Sequence, residues 1–429
     1  MNRARKAALL SLIKSTKCGA FSNLELDSTL RSATLSPEDR ALYSQLYLGV
    51  IEKKITLDYL LSRISSSPLH TMEAEVLCIL ELGAYQILYL DRIPDRAAIF
   101  EAGELAKRYA PAALSLINAV LRRISGEKET VFSYLDLPGK KGLALRYGYP
   151  RYLVSLWQEA YGKDTCLAIM EAQNKRAPLT LRINTLKSTL SRVSAALTEL
   201  GIGHHQNPLC KNALTLEESV TPSKLPGFEE GLFFVQDAAA ARAVDLLEAK
   251  PGHRVLDLCA APGGKSFGAA IDMEDKGEVL SLELHPNRLP LIAEGAVRLG
   301  ISSIQTASGD SSLPAPQRIA SFDRVICDVP CSGYGVIAKK PDIRHKAREE
   351  GESLPSLQLA ILEQGAAALK PGGLLVYSTC TLNPKENEEV TEAFLSRNPD
   401  FRRCGEAETI FPVGGENDGF FCDRLEKLL

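Results

Sequence analysis

The stretch that most limits the fold is Val255-Leu256-Asp257-Leu258-Cys259-Ala260-Ala261-Pro262-Gly263-Gly264-Lys265-Ser266. It reads as a strand, a tight turn of small residues and the start of a helix. Small residues let a backbone approach a ligand closely, and the free N–H groups of a helix start can bind it. A phosphate-cradling loop ending in Gly264-Lys265-Ser266 would require glycine at 259, where this chain has cysteine. The glycine fingerprint for a pyrophosphate is absent as well. The turn therefore suits a ligand without a pyrophosphate.

Strand and helix patterns alternate from this point, the signature of a parallel sheet in an α/β domain. Strands are expected at Arg254–Leu258, Val279–Glu283, Ile304–Ala307, Phe322–Asp328 and Gly373–Ser378. Helices are expected near Lys265–Ile271, Arg288–Leu299 and Ser356–Leu369, with two short strands about Gly414-Gly415. Acids close successive strands: Glu283 can accept from ribose hydroxyls, Asp310 can lie beside an adenine ring, and Asp328 ends the fourth strand. Any one of them could simply cap a loop. As a set, with Cys259, Ala260, Ala261, Pro262, Gly263, Gly264, Lys265 and Arg288, they outline a site for a positively charged nucleoside, S-adenosylmethionine.

Two cysteines follow apolar runs, Cys331 in Asp328-Val329-Pro330-Cys331-Ser332-Gly333 and Cys380 in Tyr377-Ser378-Thr379-Cys380-Thr381. A lone cysteine at a strand end is usually packing. Two at the mouths of neighbouring strands could meet over one substrate. Methylation at C5 of cytosine needs such a pair. A thiolate adding at C6 makes C5 nucleophilic, and a second group must then remove the C5 proton so that the thiol leaves. Asp328 is placed to stabilise the adduct near N3. The spacing does not say which cysteine attacks. The other eight (Cys18, Cys78, Cys166, Cys210, Cys259, Cys327, Cys404, Cys422) read as filler, and no metal-ligand spacing stands out.

With 429 residues, the chain has room for roughly two to four domains. Residues 1–125 read as an all-α bundle. Leu42, Leu46 and Val50 share one helical face, and Ser36-Pro37-Glu38-Asp39 is a start signal. This part holds 16 Lys+Arg against 13 Asp+Glu, which leaves −6 of the net −3 for the remainder. Arg3, Arg5, Lys6, Arg122 and Arg123 could touch RNA phosphate, although solvated surface charge is the commoner role. Residues 126–150 read as an irregular linker. Residues 151–235 read as a small α+β module of βαβ type, with a strand at Pro178–Asn184 and a helix at Ser188–Leu200. Trp157 is expected in a core, and Arg182 and Asn184 are either RNA contacts or the polar face of an edge strand. Residues 236–429 form the α/β domain. No run approaches the ~18 apolar residues of a membrane span. Free thiols suit a reducing cytoplasm.

Together these motifs resemble the RNA cytosine-C5 methyltransferases of the Sun/Fmu type over nearly the whole length. The matches are Asp257–Ser266, Asp328–Gly333, Ser378–Thr381 and Asp418-Gly419-Phe420-Phe421. Pro341-Asp342-Ile343-Arg344 is similar to a family loop near the substrate. The resemblance implies a NusB-like helical RNA-binding domain, a small RNA-binding module and a Rossmann-like class I methyltransferase domain. It implies small-subunit ribosomal RNA as substrate, S-adenosylmethionine as donor, no metal and a cytoplasmic monomer. It assigns attack to Cys380 and product release to Cys331. Val329, Glu283 and Tyr334 stand where alanine, aspartate and threonine are common in the family. The alternatives are a cytosine-C5 methyltransferase of tRNA or DNA, or a non-catalytic NusB-like assembly factor.

Overall fold

The structure, a computed structural model, describes residues 2–18, 22–177, 179–218 and 220–429, without the side chain of Cys18. The expected start of a strand at Pro178 and the packing of Cys18 therefore lie outside the described residues. The chain divides into two compact units, residues 1–159 with 339–346, and residues 160–338 with 347–429.

The first unit is helical: α1 (Arg3–Cys18), α2 (Ser22–Ser32), α3 (Pro37–Ile64), α4 (Ala74–Tyr89), α5 (Asp95–Tyr109), α6 (Leu114–Gly126), α7 (Gly139–Tyr147) and most of α8 (Arg151–Tyr161). Ser36 caps α3 by accepting from the Asp39 N–H, and Pro37 takes the first helical position. Leu46 and Val50 are fully buried in the core that the amphipathic faces build. That core does not stop at residue 125: Val131 and Leu135 belong to it. The segment 126–150 is thus not an irregular linker. Gly139 and Gly142 suggest a break, but α7 runs through them. Gly142 is there because a Cβ would stand 1.7 Å from the Leu137 carbonyl oxygen. Trp157 is buried edge-on to Tyr149, as expected. Arg5 turns inward, donating to Gln86 at 2.6 Å, so it offers nothing to a phosphate. Arg344 is also buried here. It donates to the carbonyls of Tyr147 and Gly148 and lies 4.1 Å from the Tyr149 ring centre, so it is packed into protein.

The second unit opens with α9 (Lys163–Gln173) and a four-stranded antiparallel sheet, β1 (Leu179–Ile183), β2 (His204–Gln206), β3 (Ala213–Leu216) and β4 (Phe233–Val235), in the order β2-β3-β1-β4. Helix α10 (Leu190–Glu199) starts at Thr189, whose hydroxyl accepts from the Arg192 N–H. Strand β1 is interior, which overturns both readings of Arg182 and Asn184. Arg182 pairs with Asp245 and Asp272 and donates to Gln236, while the Asn184 amide donates to the carbonyls of Gly231 and Leu299.

After α11 (Ala238–Leu247), capped by Asp237, comes the large sheet: β5 (Arg254–Asp257), β6 (Glu278–Glu283), β7 (Ile304–Ser308), β8 (Phe322–Asp328), β9 (Leu369–Thr379), β10 (Phe401–Arg403), β11 (Glu408–Ile410) and β12 (Phe420–Lys427). Helices α12 (Gly264–Asp272), α13 (Leu289–Leu299), α14 (Leu354–Ala368) and α15 (Glu388–Arg397) alternate with these strands. The order is β10-β12-β9-β8-β5-β6-β7, parallel from β9 to β7 and antiparallel beyond β9, with β11 beside β12. The strand order reverses between β5 and β8, and ligands of such sheets bind outside the carboxyl ends at that reversal. Among the described residues, no helix is long and apolar enough to cross a membrane.

Candidate active site

The first side of the site is the turn after β5. Gly263 has φ +110°, and a Cβ there would stand 2.4 Å from the Phe267 ring. The turn is pinned by Ala260 N–H to Leu282 O (2.8 Å) and Gly263 N–H to Ala260 O (2.7 Å). Asp257, at the end of β5, is 1% exposed. Its Oδ2 accepts from Ser266 Oγ at 2.7 Å, and Ser281 Oγ in turn donates to Ser266. Its Oδ1 is buried and makes no hydrogen bond of normal geometry among the described residues, although the nearby Cys259 N–H still favours the charged form. Burial pushes this carboxyl up to about 6, against the Ser266 hydrogen bond. A buried acid with one unanswered oxygen is costly unless something donates to it.

Glu283, at the end of β6, accepts from the His285 N–H at 3.1 Å and pairs with Arg288 at 3.3 Å. Arg288 also donates to the Ala261 carbonyl (2.9 Å), which ties the glycine turn to the second acid. Asp310 is farther out. Its Oδ1 accepts from Ser312 Oγ and N–H, which holds it below the usual carboxylate range.

Asp328 closes β8, between the two sides. Lys265 Nζ lies 2.7 Å from its Oδ2, and Ser378 Oγ donates to its Oδ1 at 2.8 Å. Burial works against the Lys265 charge, but Asp328 and Asp257 outweigh it and raise this lysine above its ordinary value. The ammonium also sits 5.2 Å from the Phe420 ring centre.

The second side holds the cysteines. Strands β8 and β9 are parallel neighbours in register, Asp328 opposite Ser378, so their exit loops run side by side. The Cys331 and Cys380 sulfurs are 3.3 Å apart. The Cys331 thiol is raised well above its ordinary value, first by its hydrogen bond to Cys380, then by burial, then by the charges of Cys380, Glu386 and Asp328. Cys259 and Cys327 are also raised, chiefly by burial, and are inert packing thiols beside this pair. None of the nine cysteines whose side chains are described is in a disulfide.

What holds the two loops together escaped the sequence reading. Glu386 is fully buried, and its carboxylate accepts from Ser332 N–H (2.9 Å), Ser332 Oγ (2.5 Å), Gln358 Nε2 (2.9 Å) and Asn383 Nδ2 (2.8 Å). Since Ser332 gives its one hydroxyl proton to Glu386, the 2.7 Å contact with Thr381 runs from Thr381 to Ser332. Thr381 Oγ1 also accepts from the Tyr334 N–H at 3.2 Å. The loops touch again where Gly335 N–H donates to Cys380 O (3.0 Å) and Gly419 N–H to Gly335 O (2.9 Å). A Cβ on Gly335 would lie 1.9 Å from the Gly419 oxygen. Tyr334 therefore contributes backbone to the cysteine loops, its carbonyl accepting from Gln173 at 3.0 Å. The motif at Asp418 docks through its N–H on the Asp237 carboxylate. Among the described residues no cluster of three or more His, Cys, Asp and Glu could hold a metal.

Known proteins share this arrangement. The family described as 16S rRNA methyltransferase RsmB/F matches residues 244–426, the NusB family matches residues 2–126, and the ferredoxin-like domain of RsmF/B-like methyltransferases matches residues 149–222. A curated relative from Bacillus subtilis (strain 168), named probable ribosomal RNA small subunit methyltransferase B, is 38% identical over 99% of this chain and 98% of its own. A relative of the same name from Synechocystis sp. is 34% identical over 100% of both chains. The crystal structure of PH0851 superposes with a TM-score of 0.80 over 100% of this chain and 99% of its own; at 22% identity this shows the fold alone. The chain belongs to the RsmB/F family of 16S rRNA methyltransferases, the Sun/Fmu type.

Proposed function

We propose that the chain is a cytoplasmic, monomeric enzyme that transfers a methyl group from S-adenosylmethionine to C5 of one cytosine in 16S ribosomal RNA, through a bond between Cys380 and C6. The observation that carries this reading is the pair of thiols 3.3 Å apart at the mouths of β8 and β9, with the Lys265–Asp328 pair at the same strand end.

The residues fit the donor. The buried Oδ1 of Asp257 and the acids Glu283, Asp310 and Asp328 at the ends of successive strands would hold the cationic donor, with Cys259 to Lys265 and Arg288 beside it; Arg288 ties the turn to Glu283. Bound there, S-adenosylmethionine supplies an electrophilic methyl on a sulfonium sulfur. Cys331, with its raised value, keeps its proton and donates to Cys380, which attacks C6 as the thiolate. The C5=C6 electron pair shifts onto C5, conjugated with the ring, and Asp328, steadied by Lys265 and Ser378, can accept from the exocyclic amino group. C5 would then bond the methyl as the donor's S–CH3 pair stays on sulfur, leaving a neutral thioether.

Once the Cys380 sulfur is bonded to carbon, it no longer bears charge and no longer accepts from Cys331. The largest cause of the raised Cys331 value is then gone, which favours loss of its proton to water, although burial and the Glu386 and Asp328 charges still oppose it. As a thiolate it takes the C5 proton, and the C6–S electrons return to Cys380. The same 3.3 Å contact thus serves both half-reactions. The target base must leave its stack to reach such a site.

The test uses two variants with ribosomal RNA and labelled donor. Cys380→Ala is expected to lose methyl transfer by roughly 10⁴-fold or more; 5-methylcytosine made at near wild-type rate would overturn the nucleophile. Cys331→Ala is expected to accumulate a protein–RNA adduct as a slow-migrating band, and its absence would overturn the release role. Bisulfite mapping of ribosomal and transfer RNA identifies the methylated cytosine.

A further inference from the structure

A groove of about 410 Å³ lies between α5 and α6 of the helical unit, outside the site described above. The two helices run antiparallel there, since Ser125 near the end of α6 donates to Asp95 at the start of α5 (2.8 Å). One wall carries Arg96 and Phe100 with Lys107 a few turns on, and the other carries Asn118 and Arg122. Antiparallel order brings Arg96 and Arg122 to the same end. Both guanidiniums are exposed, with neither ion pair nor hydrogen bond among the described residues, whereas Lys107 is neutralised by Glu104 at 2.6 Å. Phe100, in the middle, is 64% exposed, an unusual position for an aromatic ring in a helix whose other face is core. Gly103 leaves the floor clear beside the Asn118 amide.

We infer that this groove binds one unstacked nucleotide of the RNA substrate, with the phosphate on Arg96 and Arg122, the base on the Phe100 ring, and the Asn118 amide at the base edge. The inference rests on the reading of RNA as substrate. Single-stranded RNA is held by this combination of cations for the backbone, an aromatic face for the base and an amide to read it. The volume suits one nucleotide, and two unpaired cations clustered at one end fit a single phosphate better than an extended acidic peptide. RNA held in the groove would help select which cytosine is methylated.

The test measures binding of single-stranded 16S rRNA fragments by the full-length chain, without donor, over a series of salt concentrations. The altered side chains are exposed, so the fold is expected to survive. Phe100→Ala is expected to weaken binding roughly 5- to 100-fold at every salt concentration, because a stacking partner is lost. Arg96→Glu with Arg122→Glu is expected to weaken binding and to reduce the salt slope by about 1, because phosphate contacts are lost. In turnover, both should raise KM and leave kcat unchanged. Wild-type affinity in both, or loss in the arginine variant alone, would overturn the nucleotide site. So would unchanged binding to naked RNA with poorer methylation of protein-containing small-subunit particles, which would mark a protein partner. Binding without donor decides the groove whether or not the chain methylates, and wild-type methylation is scored separately.

Discussion

The two sides of the site are built on opposite principles. The turn after β5 leaves a polar atom unanswered: Asp257 Oδ1 is buried and makes no hydrogen bond of normal geometry among the described residues. The loops after β8 and β9 are densely paired, with Gln358 Oε1 of the helix behind them the polar atom of their network left without a partner among the described residues. Glu386 accepts four hydrogen bonds, and Ser332, Thr381 and Gly335 stitch one loop to the other. A donor that arrives and leaves each cycle needs unsatisfied groups for which binding is the answer. If the two thiols act in sequence on one carbon–carbon bond, as proposed, they need a fixed separation, which a dense network supplies. Substitutions on the donor side should therefore change affinity, and those on the cysteine side should change rate.

The largest break in that contrast is expected from Glu386→Ala. It leaves the Ser332 N–H and one of the two Gln358 amide N–H groups as buried donors without an acceptor, at a cost of about 1–3 kcal/mol for each, while Gln358 keeps Pro330 O and half-buried Asn383 can turn to water. The Cys331 loop should drift from Cys380. Since misplacement by about 1 Å can cost roughly 10²-fold, kcat should fall by that factor while donor affinity changes little. Stopped adduct formation and a donor titration measure the two halves separately. Equal losses in both would show that the sides are one unit.

Gly335→Ala sharpens the same point by sterics alone. The new Cβ would meet backbone oxygen at 1.9 Å on Gly419 and 2.9 Å on Cys380, and backbone cannot swing aside as a side-chain tip can. A destabilisation of about 3 kcal/mol is expected, with loss of turnover ahead of loss of donor binding. Thermal melts with and without donor would check it. An unchanged melting temperature would mean that the loops part easily.

The same contrast explains what could be read from the chain. The strand, turn and helix start at 255–266 were legible because their parts are contiguous and their small residues have few other uses. The cysteines were legible because each follows an apolar run that had to be a strand. Glu386 was not, because its meaning lies in partners 54 and 28 residues away, Ser332 and Gln358. Within Asn383-Pro384-Lys385-Glu386-Asn387 it looks like one more acid before a helix. Arg182 and Asn184 misled for a related reason. Polar residues in an alternating strand suggest a solvent face, but β1 has a strand on each side, and its polar side chains pair with Asp245, Asp272 and distant carbonyls. The helix at 139–147 was hidden by glycines that serve close packing as well as turns.

The smallest expected effect tests the donor side by its cost. Asp257 sits near 6 in the folded protein against about 3.9 in an unfolded chain, because burial penalises its charge. The folded state therefore holds the proton to higher pH than the unfolded state. This acid's contribution to stability is fully present below about pH 4 and is lost as pH rises toward 6. Asp257→Asn removes the titration while keeping an oxygen that can accept from Ser266. The variant should gain about 1–3 kcal/mol over the wild type above pH 6, with the gain fading as pH falls to 4. Its donor affinity should drop, since the acid facing the bound cation is gone. Denaturant melts at pH 4 and pH 7.5, paired with a donor titration, would check both. A variant that is more stable and yet binds donor as well as the wild type would mean that the buried charge serves something other than the donor.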